Sequence, residues 1–358
     1  MGTVPSFTMK KYILFVLYPI VLLAFSFWSY LYVDWHLELL PFSWYKNLQT
    51  ILWNFSLNQR VLSAFIYILL VLLLFTFYFI LLLLIKNGKL SLKKIIILLL
   101  ITIGTLFLSH PALSHDIFNY IMTAKIVTFY RENPWVVMPT EFIGEPMLNF
   151  LHAGNKIVLY GPVWVAMTLI PSFLGQNIFL LAFSLFKLLI IGFYAGSLWL
   201  IYRLNKEQKN PEAMQNLIFF AFNPLVLIET LSSSHNDIVM MFFALLSFYL
   251  LMKKNFLFSI IYFLFFVAIK YATIFLLPAY LYSLYQSWKK REVNYDKIFF
   301  YSTSLMFLVF FLSPLREELY PWYLIWPLSF LALLKGYRNL KILTIVLSWG
   351  LLLRYVPF

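Results

Sequence analysis

The chain has 358 residues, 63% hydrophobic and 21% aromatic, with 11% charged and a mean hydropathy of +0.85. Globular chains carry about 25% charged and about 45–50% apolar residues, so this apolar surplus requires lipid as its solvent and excludes a soluble globular protein. The net charge of +13 excludes nucleic acid as a partner once the charges are placed along the chain, and the absence of cysteine excludes disulfides, thiolate metal sites and cysteine nucleophiles.

Lys10 and Lys11 precede an apolar run over 12–33. At 1.5 Å per residue it is about 33 Å long, enough to cross a bilayer, and no small-residue cleavage site follows it. It is therefore expected to be a retained signal anchor with a cytoplasmic N-terminus. Further apolar runs lie at 61–85, 95–109, 178–202, 214–229, 238–252, 255–269, 271–287, 298–313, 322–336 and 342–356. The expected fold is an all-α polytopic membrane protein with about 11 transmembrane helices. With no low-complexity linker and no internal repeat, residues 1–358 are expected to form a single membrane-embedded domain.

With eleven spans, six segments are cytoplasmic. They collect Lys10 and Lys11; Lys86, Lys89, Lys93 and Lys94; Arg203, Lys206 and Lys209; Lys253 and Lys254; Lys289, Lys290, Arg291 and Lys297; and Lys335, Arg338 and Lys341. That satisfies the positive-inside rule. The segment 158–174 also looks like a span, but counting it would turn all later basic loops outward. Bracketed by Pro162 and Pro171, it reads instead as a re-entrant or juxtamembrane helix in a large external loop, 109–177.

The unusual polar residues then collect on the outer face. Ser109-His110-Pro111 leads to His115-Asp116 and Asn119-Tyr120; Arg131 to Trp135 and Tyr160 to Trp164 follow. Later loops add Glu229, then Ser232 to Asp237, then Lys270, then Arg316-Glu317-Glu318 and Tyr320 to Tyr323. Asp116 can cap the following helix or, with His115 beside it, serve as a general base toward a hydroxyl. His235, Asn236 and Asp237 can cap the sixth span, hold sugar hydroxyls or, as an alternative, hold a divalent cation together with Asp116; no paired metal-ligand spacing accompanies them. Lys270 lies near an external hairpin turn, where it can snorkel or pair with a lipid phosphate, and Lys187 has the same two readings deeper in its span. Arg316 suits a phosphate or an intraloop pair with Glu317 or Glu318. Trp135, Trp164 and Trp322 suit the interfacial aromatic belt or a sugar-stacking platform.

The ordered set His115-Asp116, Asn119-Tyr120, Asn133-Pro134-Trp135, Tyr160-Gly161-Pro162-Val163-Trp164, Asn223-Pro224-Leu225, Ser234-His235-Asn236-Asp237, Lys270 with Pro278, and Pro321-Trp322-Tyr323 resembles the GT-C superfamily of membrane glycosyltransferases. The resemblance is strongest to the polyprenyl-phosphate-mannose-dependent mannosyltransferases and the GPI mannosyltransferase catalytic subunit. It covers roughly 109–327 and departs from the pattern in carrying one acid where some relatives have a DxD pair.

The resemblance implies a catalytic Asp116 and transfer of a hexose, mannose by likeness, from a polyprenyl-phosphate donor to a glycolipid or glycan acceptor at the outer face of a prokaryotic plasma membrane. Direct displacement would invert the anomeric centre. On this reading His115 orients Asp116, and Lys270, Arg316 and Lys187 hold the donor phosphate. His235, Asn236, Asp237, Tyr160, Trp164, Trp322, Asn119 and Tyr120 line the sugar and acceptor site. Other classes stay open: a lipid-linked sugar flippase, for which no inverted hydropathy repeat is seen, a non-catalytic envelope assembly partner, and a hydrolase.

Overall fold

The structure, a computed structural model, describes residues 5–37, 39–158 and 160–356, without the side chains of 5–13; the side chains of Lys10 and Lys11 of the expected anchor lie outside the described residues. Among the described residues it is helical with no strand. Every expected apolar run falls on helix. α1 (Pro5–Ser29), α3 (Arg60–Lys86), α4 (Leu92–Phe107) and α7 (Phe179–Glu207) are followed by α8 (Ala213–Ala221), α9 (Pro224–Leu227), α10 (Asp237–Met252) and α11 (Phe256–Val267), then α12 (Leu277–Trp288), α13 (Tyr295–Leu312), α14 (Ile325–Leu331) and α15 (Arg338–Leu353), while the connecting loops carry α2 (Ser43–Asn58), α5 (Asp116–Lys125) and α6 (Pro162–Leu174). One contiguous apolar core runs from α1 to α15.

Fewer of these helices than expected can cross a bilayer unaided. Among the described residues four are long and apolar enough: Leu14–Tyr32, Arg60–Lys86, Phe179–Glu207 and Tyr295–Leu315. A fifth would be the pair Ala213–Ala221 and Pro224–Ser232, bent by 53°. The other expected spans fall on helices of 16 residues or fewer. Every residue of α14, within the expected span 322–336, is buried, so α14 faces protein on all sides. The run 271–287 divides into a 3₁₀ turn, Tyr271–Leu276, and the 12-residue α12. α6, at 13 residues, is about 20 Å long, short of the roughly 30 Å hydrocarbon layer.

α2 lies outside the expected spans because its run is too polar for one. It buries Tyr45, Gln49 and Ser56 and exposes Trp44, Leu48 and Ile51, an apolar stripe at i, i+4 and i+7.

The bend between α8 and α9 follows from Asn223-Pro224. Proline has no N–H to continue the ladder, which frees carbonyls of the preceding turn. Two tyrosines from other helices take up carbonyls there: Tyr78 of α3 donates to Phe219 O at 2.8 Å and Tyr194 of α7 to Ala221 O at 2.5 Å. Asn223 caps α9 by accepting from Leu225 N–H at 3.0 Å. Beyond α9 the chain passes through a π-turn, Ile228–Ser232, and Ser234 at φ +60° before α10 begins at Asp237. This is the segment that the site is built on.

Candidate functional site

Two loops meet at the ends of α4 and α9. α4 stops at Phe107, leaving its last carbonyls without helical partners. The Lys187 ammonium, buried and projecting from α7, donates to Leu106 O at 2.9 Å and Ser109 O at 2.6 Å. It therefore caps α4 from a neighbouring helix, a cation at the negative end of the helix dipole. It also reaches Ser109 Oγ at 3.5 Å, so its donors go to this fastening in place of the phosphate contact expected of it. Ser109 Oγ lies 2.9 Å from Ser232 Oγ, which in turn sits 3.3 Å from His110 O, so the chain around 109 is stitched to the π-turn.

Asp116 opens α5, and its side chain is 27% exposed. Its Oδ2 lies 3.3 Å from His235 Nδ1 and accepts from Tyr120 Oη at 3.4 Å, one helical turn on. On the far side of the His235 ring, Nε2 is 3.3 Å from Oε2 of the fully buried Glu229. The ring stacks on Trp322 at 3.9 Å, and Trp322 stacks on Tyr320 at 4.4 Å. Burial alone would lower the pKa of His235, but contact with Asp116 and Glu229 outweighs it and raises it to about 9. Burial would raise Asp116; His235, Lys270 and Tyr120 together hold it below the usual carboxylate range.

This arrangement revises three expected roles. The partner of Asp116 is His235, 119 positions away, and not His115, whose Nδ1 lies 2.5 Å from His152 Nε2. Burial and His152 lower the pKa of His115 to about 4, so it faces this pair as a neutral ring. Trp322, with stacked rings on both its faces, supports His235 instead of offering a bare face to a sugar. Arg316 stays apart from the cluster, 85% exposed and 3.8 Å from Glu317.

Asp237 and Lys270 form a second pair. Asp237 is fully buried and accepts from Lys270 Nζ at 2.8 Å on Oδ2 and from Trp326 Nε1 at 2.6 Å on Oδ1. Lys270 also sits 5.7 Å over the Tyr323 ring and remains 18% exposed. Both Asp237 oxygens are engaged, which leaves it little to offer a sugar or a cation. Among the described residues no three His, Asp or Glu side chains gather at metal-ligand spacing. Removing one member of a buried pair strands the other charge, at a cost of about 3–5 kcal/mol. Lys270→Met is therefore expected to lower the thermal midpoint in detergent, with part recovered on adding Asp237→Asn. A wild-type midpoint for the single variant would show that the pair carries no such energy.

Tyr120, Tyr160 and Trp164 form one aromatic wall, with Tyr120 edge-on to the other two at 4.9 and 5.0 Å. Asn119 and Tyr160 line a cavity of about 30 Å³ with Thr123, Pro134 and Lys156, room for about one water. Asn236 donates its backbone N–H to Tyr120 Oη at 3.4 Å. Its buried side-chain amide, with the hydroxyls of Ser233 and Ser234, has no hydrogen-bond partner among the described residues. Buried polar atoms almost always have partners, so these three side chains stand out within the loop. Glu229 belongs to the outer polar set expected from sequence but had no role there; an acid closing the apolar run 214–229 was the available signal.

The site residues from Asp116 to Lys270 fall inside one family match, and Arg316, Tyr320 and Trp322 fall beyond it. The model of the MptA_B family, alpha-(1->6)-mannopyranosyltransferase, N-terminal domain, matches residues 31–286. No curated protein and no solved structure matches the chain. The family match covers well over half the sequence and agrees with the resemblance read from the motifs: the chain belongs to the alpha-(1->6)-mannopyranosyltransferase family and is a glycosyltransferase.

Proposed function

We propose that the chain transfers mannose from a polyprenyl-phosphate carrier to a hydroxyl of a glycolipid or glycan acceptor, at the outer face of the plasma membrane, by a single displacement with Asp116 as general base. One observation carries this reading: Asp116 is a partly exposed carboxylate whose Oδ2 is held by His235 and Tyr120, which leaves Oδ1 for an incoming hydroxyl. In the step, the acceptor oxygen bonds to the anomeric carbon as its proton passes to Asp116. The bond from that carbon to the phosphate oxygen breaks, and the polyprenyl phosphate leaves with the electron pair. The leaving phosphate gains charge, and Lys270, still 18% exposed beside the site, is the cation that would attract it. Asn236, Ser233, Ser234 and the Tyr120–Tyr160–Trp164 wall supply polar and apolar contacts for the sugar. The polyprenyl tail accounts for catalytic groups gathered on a chain whose longest helices are apolar.

The family name specifies an α linkage. A single displacement yields that linkage only from a β-linked donor. Purified protein given labelled β- and α-linked polyprenyl-phosphate-mannose with an envelope-lipid acceptor, with and without EDTA, is expected to consume the β donor alone and yield an α product. A β product from the β donor would rule out single displacement. Donor bound but left intact in every arm would point to lipid-linked sugar movement without chemistry.

A further inference from the structure

His235 faces two carboxyl groups, and with both ionised only one protonation state of its ring suits them; burial raises the Glu229 carboxyl, and the charge on His235 is what opposes that rise. Nδ1 is 3.3 Å from Asp116 Oδ2, and Nε2 is 3.3 Å from Glu229 Oε2. A neutral imidazole has a single N–H, so one of its nitrogens would set a lone pair against a carboxylate; the imidazolium turns a positive N–H edge toward both, at ion-pair distance and without hydrogen-bond alignment. Glu229 is wholly buried, with His235 as its ion partner, while Lys270 is taken by Asp237. Trp322 stacked on the ring face favours a cation there as well.

We propose that Glu229 is a positioning residue: it holds the second proton on His235, making the ring a fixed cation that keeps Asp116 ionised and aligned toward the acceptor. The proposal rests on Asp116 being the base. Glu229 itself touches neither substrate nor reacting atoms and acts through the imidazole. The titratable groups around the ring are Asp116 and Tyr120 from α5, Glu229 from the π-turn, Asp237 from α10 with Lys270 beyond it, and Tyr355 after α15 near Glu229. The rise of the His235 pKa to about 9 agrees with the geometry.

The test compares the full chain in detergent with Glu229→Gln, in two readouts. One is kcat/KM for sugar transfer against pH. The other is a ¹⁵N NMR titration of the five histidines, His235 being identified by the signal missing from His235→Asn. Gln keeps the size and can accept a hydrogen bond, but it carries no charge. In the wild type, His235 is expected to titrate near pH 9 and activity to fall with it. In Glu229→Gln both midpoints are expected at least about 1 pH unit lower, because one carboxylate at contact distance is gone. Glu229→Asp, which keeps the charge, is expected to return the basic limb toward the wild-type position even with a lower rate.

A Glu229→Gln enzyme slowed by one factor at all pH values, with His235 titrating as in the wild type, would overturn the proposal by reducing Glu229 to packing. A wild-type His235 that is neutral at pH 7.5 would overturn it without any variant. The NMR arm needs no substrate. If Asp116 proves not to be the base while the ring titrates as expected, the functional reading has failed and the charge-holding role of Glu229 stands.

Discussion

Asp116→Asn is expected to lower sugar transfer by about 10² or more, with little change in thermal midpoint. Asn matches the carboxylate in size, and its carbonyl oxygen can still accept from Tyr120 and lie against the His235 ring. What it lacks is a site for the acceptor's proton. Without a base, the hydroxyl must attack while still protonated, and a factor of 10² corresponds to about 2.7 kcal/mol of barrier. The fold should survive, because Asp116 is partly exposed and opens a ten-residue helix whose buried face is Ile117, Phe118, Tyr120, Ile121 and Met122. Label transfer from the β-linked donor by both proteins, normalised to folded material, makes the comparison. Near-normal turnover by Asp116→Asn would remove this carboxylate from the mechanism.

Gly161→Ala is expected to have the second-largest effect, through folding. Gly161 precedes Pro162 at the start of α6, and its N–H donates to Ile269 O at 3.1 Å. A Cβ built there would lie 2.0 Å from Ala268 O and 2.6 Å from Ala268 C, both backbone atoms that cannot rotate away. One of the two strands of chain must retreat, at a cost of about 1–3 kcal/mol or more for overpacking. Lys270 is two residues beyond Ala268 and Tyr160 is the neighbour of Gly161. The displacement therefore also moves the cation toward Asp237 and the wall of the candidate sugar site. A loss of both midpoint and activity is expected, greater for Gly161→Val. Unchanged values for Gly161→Ala would mean that this approach is looser than it stands here.

Much of the helical pattern could be read from hydropathy, because each apolar run is a helix needing a dry partner. Whether a run faces lipid or protein could not. The expected span 322–336 is as apolar as its neighbours, yet α14 within it is enclosed. Composition records only that a residue is apolar, so the inside of a helix bundle and the inside of a bilayer read alike. Asp116 and the Ser234–Asp237 run stood out because polar groups between apolar runs are costly and few. Their pairing did not: His115 was the natural partner for Asp116 by adjacency, whereas the bend at Pro224 and the π-turn deliver His235. Lys187 stood out for the same reason as Lys270, but a charge in an apolar helix can serve a carbonyl as well as a phosphate, and only the position of the end of α4 decides.

The tyrosines at the bend between α8 and α9 also bear on how a substrate is admitted. Tyr78 and Tyr194 hold Phe219 O and Ala221 O from two different long helices, and the turn beyond is tied to Ser109 and, through it, to the cap made by Lys187. Swinging the segment that bears Glu229 and His235 would release those carbonyls into an apolar interior, where an unpaired carbonyl is expensive. On the proposed reading, that wall is the side of the site that holds still, the reference against which an incoming sugar is placed. Accommodation of donor and acceptor then falls to the opposite side, where the 3₁₀ turns Pro139–Glu141 and Pro146–Asn149 share none of those bonds.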